Sequence, residues 1–569
     1  MTGTLKIAAA QIDTTVGDLA GNAQKIMAAW RKAEVEGVDL VVTPEMSLTG
    51  YPLEDQNENP DTLDQALKVA EKLVEASKNF KSAVLIGLPL RGEKTPEGRS
   101  VYNAALLIEN GQIRQTIRKR HLPTYDVFDE RRTLAPGGAS DPVDFRGCKL
   151  GVMICEDFWY EDAAADLAAK GAQALIVMNA SPFERQKHER RITDVAGSRA
   201  AETKLPILYV NQTGGQDEIV FDGCSFAMNN DGVVMYQAPA FDESQGTLSL
   251  NFAPGAPASF GQAAIHPVPA DMERVWRALV TGVREYLRKN GNITDVVLGM
   301  SGGIDSALVA AIAADAIGSA HVHLISMPSK FTADMSNDDA FAAAKMLGAD
   351  IFQKPIETAV QTFRDLFNGQ SAGTADENLQ SRVRGIILMH HSNTHGWLPL
   401  TTGNKSEMGV GYCTLYGDTN GGFNPLKDVY KELVRELARW RNANWPAGLL
   451  GPQGPVMPDR IITRPPSAEL AAGQKDEDDL PPYPVLDEIL HRYIEEDQKL
   501  ERIIAETGFE RALVEKVIRK VDVAEFKRRQ TCPGVKITEK SFGRGRQFPI
   551  SRPNTPRMIR EAEAFKPAP

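Results

Sequence analysis

In the first half of the sequence, a glutamate, a lysine and a cysteine each stand at the end of a strand-like run. Glu45 closes LVVTPE, Lys119 follows IRQTI, and Cys155 closes KLGVMIC. Together they could carry out acyl transfer. A thiolate attacks carbonyl carbon, a carboxylate beside it can move the proton, and an ammonium can stabilise both the thiolate and the tetrahedral oxyanion. The stretch EDFWYEDAAADLAAK after Cys155 reads as helix, which would set the thiol at the positive end of a helix dipole. Singly, each residue says little: a lone cysteine after a strand is more often a small core residue, and a lone Glu or Lys is usually solvated.

The second half offers a different chemistry. MSGGIDS lies between the strand-like DVVLG and the helix-like ALVAAIAADAIG. Gly302 and Gly303 let the backbone approach a phosphate, to which the amides and the Ser301 and Ser306 hydroxyls can donate at a helix N-terminus. The spacing is not that of a P-loop. TTGNKSE carries Glu407 past another strand-like run. With Asp305 it supplies two hard oxygen ligands of the kind Mg²⁺ takes alongside phosphate. In DENLQSRVRG, Asn378, Arg382 and Arg384 cannot share one helix face, so at least one points away from any common site. Two basic residues there could hold an anion.

Positioning these groups calls for layered α/β architecture. LKIAAAQI, DLVVTPE, SAVLIGLPL, KLGVMIC, ALIVMNAS and LPILYVNQTG read as core strands, with helical spacing between several of them and a hairpin over SVYNAALLIENGQIRQTIRK. From about Gln237 to Pro269 the texture turns rich in Pro, Ala and Gly. We therefore place a first domain at 1–250, a linker at 251–270 and a second domain at 271–569. The second domain opens on a helix starting at Asp271 and stopping at Gly291, then continues in βαβ texture, which predicts a parallel sheet. Pro466 to Pro484 reads as an acidic, Pro-rich surface loop.

Composition narrows the function classes. The 569 residues are 42% hydrophobic and 24% charged, enough for several packed cores without staples. A net charge of −11 argues against a broad nucleic-acid surface. The five cysteines are never spaced C-x-x-C, which excludes a zinc ribbon and suits a reducing compartment. The N-terminus shows no secretory pattern, and the most apolar stretch is interrupted by Asp315 and too short for a bilayer. The expectation is a cytoplasmic enzyme of small molecules, with no nucleic-acid or membrane partner.

VVTPEMSLTGYP, RKRHLPTYDVFDE and GVMICEDFWY resemble, in order, the Glu, Lys and Cys signatures of the carbon–nitrogen hydrolase (nitrilase) superfamily. The resemblance implies an α-β-β-α sandwich with Glu45 as general base, Lys119 as oxyanion stabiliser, Cys155 as nucleophile and Glu130 as the second glutamate. In glutamine-using members, it implies that Tyr51, Tyr125, Glu156, Ser181 and Lys187 hold the substrate. Here Lys187 stands where an arginine is usual, and a point charge grips a carboxylate less rigidly than the guanidinium fork does.

Strand–SGGxDS–helix resembles the ATP pyrophosphatases. This implies a Rossmann-like parallel-sheet domain, ATP against Gly299, Ser301, Gly302, Gly303, Asp305, Ser306 and Thr402, and Mg²⁺ on Asp305 and Glu407. With NKSE, ENLQSR, FNPLKDVYKELV and FKRRQTCPG, the second half resembles the NAD synthetases. That resemblance implies deamido-NAD contacts from Asn378, Gln380, Arg382, Glu407, Lys431 and Lys527, with Lys427 as a further candidate. Cys532 departs from the pattern.

The two halves in this order resemble the branch of NAD synthetases that carries its own glutaminase. The implied reaction converts deamido-NAD, ATP, L-glutamine and water to NAD, glutamate, AMP and pyrophosphate. The resemblance also implies a homo-oligomer, with an octamer as one form. An SGGxDS enzyme acting on tRNA, a non-catalytic binder and a nitrilase-type hydrolase with an unrelated ATP-binding appendage are the rivals. Release of NAD, loss of glutaminase in Cys155→Ala and dependence on ATP, respectively, would dismiss them.

Overall fold

Parallel strands Gly3–Gln11, Leu40–Val42 and Ala83–Arg91 form the centre of a seven-stranded sheet. The predicted hairpin, Val101–Glu109 with Gln112–Arg118, extends one edge antiparallel. A six-stranded sheet is built likewise around Cys148–Ile154, Ala174–Asn179 and Ile207–Asn211, again parallel. The sheets pack face to face: Ile7, Leu40 and Leu85 of one meet Leu150, Ile176 and Leu208 of the other in one core. Helices Leu19–Val35 and Pro60–Ala76 cover the outer face of the first sheet through Ile26, Trp30 and Leu73. Helices Glu161–Ala169 and Gly197–Thr203 cover the second through Ala164, Leu167 and Ala200. The result is the four-layer α-β-β-α sandwich. Its central strands are buried on both faces, so they read as continuous apolar runs rather than alternating ones.

This computed structural model describes residues 2–466, 469–471 and 473–565, and the chain divides into two units, Met1–Asp271 and Met272–Pro569. Part of the segment read above as linker is strand. Ser244–Phe252 pairs antiparallel with Gly3–Gln11, and Ser259–Phe260 pairs with its end, Leu250 opposite Phe260. These strands close an edge and bury only some of their residues, so their apolar pattern is too sparse to stand out against Pro and Gly.

The second unit holds a four-stranded parallel sheet in the order Asp350–Gln353, Val322–Ser326, Val296–Gly299, Leu398–Pro399. Val296–Gly299 is first in the chain yet lies between strands that follow it. The strand order therefore reverses beside it, and the crevice outside the carboxyl ends there is where open α/β sheets place ligands. A helical layer formed by Tyr483–Leu490, Leu500–Thr507 and Arg511–Val523 packs through Leu486, Ile503 and Val517. None of the helices among the described residues is long and apolar enough to cross a membrane.

Candidate active sites

Glu45, Lys119 and Cys155 come from three strand ends and are all buried, at 1%, 0% and 5% exposure. The turn after Leu40–Val42 carries Glu45 and lies so close to Gly87 that a Cβ there would stand 2.3 Å from the Met46 nitrogen. Lys119 is the first residue past Gln112–Arg118. Its ammonium donates to Glu45 Oε1 at 2.7 Å and to Glu130 Oε1 at 2.8 Å. Glu45 is fixed further by Asn103 Nδ2 at 2.7 Å and by the Ala180 N–H at 3.1 Å. Met46 and Cys155 both sit at positive φ, 49° and 46°. That conformation is unfavourable for side-chain-bearing residues and is held here by the surrounding packing.

Cys155 opens a single 3-10 turn, Cys155–Phe158, and the helix Glu161–Ala169 starts only after it. The continuous helix expected from Cys155 onward is thus broken. One short turn has little macrodipole, so the thiol gains little help from that source. Burial pushes the Cys155 thiol well up, Glu45 adds to the rise, and the Lys119 ammonium opposes it. The resting group is therefore a thiol beside a carboxylate, and the nucleophile forms when that proton moves. For Lys119, burial disfavours the charge, but Glu130 and Glu45 outweigh it and hold the ammonium well above the ordinary lysine range.

Burial pushes Glu130 up to about 7, with Lys119 opposing. Its Oε1 accepts from both Lys119 and Tyr51, while its Oε2 has no hydrogen-bond partner among the described residues. A buried carboxyl that keeps its proton to about pH 7 makes the fold progressively less stable as pH rises from about 4.5, where the unfolded chain already releases it. Glu130→Gln is expected to remove this slope. Urea unfolding at pH 5 and pH 8 would show a smaller difference between the two values in the variant than in the parent. An equal difference would contradict it.

The residues assigned to glutamine surround the same place, and each already has a partner within the protein. Tyr51 is buried and donates to Glu130 at 2.8 Å. Tyr125 is 51% exposed, and its hydroxyl lies 3.0 Å from both Glu156 oxygens. Burial raises the Glu156 carboxyl above its ordinary value. Lys187 is buried, paired with Glu184 at 2.8 Å, and its Nζ lies 5.8 and 5.9 Å from the Phe128 and Trp159 ring centres. Ser181 is placed by Arg191, whose Nε is 3.2 Å from its hydroxyl and whose Nη2 is 2.8 Å from its carbonyl, while Nη1 pairs with Asp222 at 2.7 Å. Sequence reasoning missed Arg191, Asn103 and Glu184. The one visible signal was an asparagine inside the apolar run VYNAALLI.

In the second unit, the turn after Val296–Gly299 and the turn after Leu398–Pro399 meet at the crevice. Gly302 has φ +79°, and a Cβ there would stand 2.1 Å from the Ser336 carbonyl oxygen, so only glycine fits. Ser301 and Ser306 hydroxyls lie 3.1 Å apart, and the Gly303 N–H donates to Ser301 Oγ at 3.2 Å. Lys431 Nζ lies 2.5 Å from Asp305 Oδ2 and 3.2 Å from Glu407 Oε1. Asn404 Nδ2 donates to Asp305 Oδ1 at 3.0 Å, and Asn404 and Glu407 cap the helix Lys405–Val410 reciprocally, a pattern readable in N-K-S-E. Burial pushes Glu407 up to about 8, against the pull of Lys431. Asp305 and Glu407 open the helices after two adjacent strands and offer oxygen donors of the kind Mg²⁺ takes with phosphate, once Lys431 and the Glu407 proton give way.

Ser301, Gly302, Asp305, Ser306, Glu407 and Lys431 line a cavity of about 300 Å³ that also includes Gly299, Thr402 and Arg384. Arg382 is exposed, donates to the Leu415 carbonyl at 3.2 Å and is not among the lining residues. Of the two arginines on helix Thr374–His395, Arg384 is thus the one that lines it. Asn378 accepts from the Thr414 hydroxyl at 2.7 Å, and the buried Gln380 donates to the Leu470 carbonyl at 3.0 Å. Lys527 is half-buried and donates to the Gly411 and Cys413 carbonyls at 2.8 and 2.7 Å. The buried Lys427 donates to the Cys532 carbonyl at 2.8 Å. Asn378, Gln380, Lys427 and Lys527 lie outside the lining set. The segment read as a surface loop brings Glu469, Leu470 and Asp476 to the cavity wall. Its acidic, Pro-rich texture predicts exposure, but these residues turn inward and line the cavity instead. Ser467, Ala468 and Ala472 of that loop lie outside the described residues.

Comparison with known proteins follows the same division. The Carbon-nitrogen hydrolase family matches residues 6–253 and the NAD synthase family residues 275–531. The chain is 45% identical over 554 residues to the glutamine-dependent NAD(+) synthetase of Rhodobacter capsulatus, covering 97% of this chain and 99% of that one. It is 42% identical to the one from Synechocystis sp., covering 96% and 98%. The solved structure of glutamine-dependent NAD+ synthetase from Acinetobacter baumannii in complex with ADP superposes with a TM-score of 0.74 at 38% identity, covering 96% of this chain and 98% of that one.

Proposed function

Because the chain belongs to the glutamine-dependent NAD(+) synthetases, we propose that it amidates deamido-NAD with nitrogen taken from glutamine at the cost of ATP. In the first unit, Glu45 takes the Cys155 proton as sulfur attacks the γ-amide carbon. Lys119 stabilises the oxyanion, and the proton leaves with ammonia. Water then cleaves the thioester and releases glutamate. Tyr125, Glu156, Ser181 and Lys187 hold the amino-acid end of glutamine.

In the second unit, the deamido-NAD carboxylate attacks the α-phosphorus of ATP at the Ser301–Ser306 turn and pyrophosphate leaves. The resulting acyl adenylate has a good leaving group, AMP, which ammonia displaces to give NAD. Asp305 and Glu407 would hold Mg²⁺, which neutralises charge on the departing pyrophosphate. Lys431 keeps the two carboxylates together. Free ammonia is mostly protonated in neutral water and then inert, so making it from glutamine and passing it on before it equilibrates with solvent preserves its nucleophilicity.

The observation that carries this reading is that one chain holds two strand-end sites of complementary chemistry. One is a buried thiol–carboxylate–ammonium group, and the other is a glycine turn facing paired carboxylates. Incubation with ATP, Mg²⁺, glutamine and deamido-NAD should form NAD, and omitting any one of them should stop it. NAD formed per glutamine consumed should stay near one when a competing amine is added. A yield set by bulk ammonia would refute the direct transfer. We also propose a homo-oligomer, for which sedimentation should return a species larger than one chain.

A further inference from the structure

The loop carrying Lys119 and the strand end carrying Cys155 are joined by one buried carboxylate. Asp157 lies two residues after the nucleophile and is 4% exposed. Its Oδ1 accepts the N–H groups of Arg120 at 2.9 Å and His121 at 2.8 Å, the two residues that follow Lys119. Its Oδ2 accepts the Ile154 N–H at 3.3 Å, immediately before Cys155. Neither oxygen donates to or accepts from the ammonium itself. A second brace lies further out, where Arg120 pairs with Asp162 at 2.9 Å and Asp166 at 2.6 Å, and His121 meets Asp162 at 2.8 Å.

We propose that Asp157 is a positioning residue that sets the distance between the Lys119 ammonium and the Cys155 sulfur. The argument is geometric. Lys119 has a long side chain, and its tip is held by Glu45 and Glu130 rather than by anything on the Cys155 strand. Its backbone N–H donates to the Asn103 carbonyl at 2.8 Å, within the first sheet. Cys155 belongs to the second sheet, at positive φ, where a few degrees of backbone rotation swing the sulfur. Two catalytic groups on two facing sheets therefore need a strut between them, and three N–H groups converging on one carboxylate supply it. Burial pushes Asp157 up to about 6, so the ionised strut is in place at neutral pH. The inference rests on the reading of the first unit as a glutaminase and adds a residue to it.

The test uses Asp157→Asn and Asp157→Ala in the full chain. Asparagine keeps an oxygen for Arg120 and His121 but turns an NH₂ toward the Ile154 N–H. Alanine removes all three bonds. Displacing a catalytic group by about 1 Å costs on the order of 10²-fold in rate. We therefore expect kcat for glutamine hydrolysis to fall about tenfold in the asparagine variant and about a hundredfold in the alanine variant. KM for glutamine should change less than kcat, because the Asp157 carboxylate bonds to the backbone of Arg120, His121 and Ile154 and to none of the side chains that hold the substrate. NAD formation driven by ammonium chloride should be unchanged in both. Parent-like kcat in both variants overturns the proposal, and so does a rise in KM with kcat unchanged. Loss of both the glutamine and the ammonium activities in the asparagine variant would make Asp157 a folding residue and also overturn it. If instead the parent protein released no glutamate from glutamine, the reading of the first unit would fail.

Discussion

Cys155→Ala is expected to abolish glutamine-driven NAD formation while leaving ammonia-driven NAD formation within about twofold of the parent. Removing the nucleophile of a covalent mechanism costs on the order of 10⁴-fold or more, because the remaining groups can polarise the amide but cannot form the acyl intermediate. Glu45 and Lys119 pair directly at 2.7 Å, without the thiol between them, so the site should not collapse. Nor does the loss of one small side chain at 5% exposure disturb the carboxylate pair of the second unit. The measurement is NAD produced with glutamine or with ammonium chloride as the only nitrogen source. Glutamine-driven turnover above about one hundredth of the parent would show that another residue performs the attack.

Asp305→Asn should give the complementary pattern, with both nitrogen sources failing and glutamate release persisting. In the parent, Asp305 Oδ2 faces Lys431 Nζ at 2.5 Å and Oδ1 accepts from Asn404. The amide keeps the shape, but it removes the negative charge that Lys431 pairs with and that the proposed Mg²⁺ would need. It also sets either an NH₂ or an uncharged oxygen against the ammonium. Losing one preorganised electrostatic group at a charge-developing centre costs about 10²- to 10³-fold in kcat, and the loss should apply equally to glutamine and to ammonium chloride. Hydrolysis of glutamine alone should remain within a few-fold of the parent, since Asp305 belongs to the other unit. Retention of parent-like NAD formation with either nitrogen source would remove Asp305 from the site. The two variants together separate the half-reactions: one depends on the nitrogen source and the other does not.

Local residue order determined much of this protein. The strand runs, the hairpin, the Gly302–Gly303 turn, the N-K-S-E cap and the change of texture before the second unit are all consequences of neighbouring residues. They are readable because sterics, periodicity and capping act over a few positions. Glu45, Lys119 and Cys155 follow strand-like runs, and Asp305 and Glu407 open the helices beyond two more, but these positions say little singly; the motifs around them, through the resemblance they carry, allowed them to be named.

What only the tertiary structure decided depends on residues far apart in the chain. That Arg384 rather than Arg382 lines the cavity depends on how helix Thr374–His395 turns against the sheet. That a loop reading as solvent-facing supplies Asp476 to that cavity depends on the partners it finds across the unit. The thiol of Cys155 is pushed up rather than lowered because burial and the Glu45 charge outweigh the Lys119 ammonium. Asp157 bridges the two segments because folding brings the N–H groups of Arg120 and His121, 37 and 36 residues away in sequence, within reach of its carboxylate. Desolvation and long-range hydrogen bonding are set by which surfaces close over a group, and no window of adjacent residues contains that information.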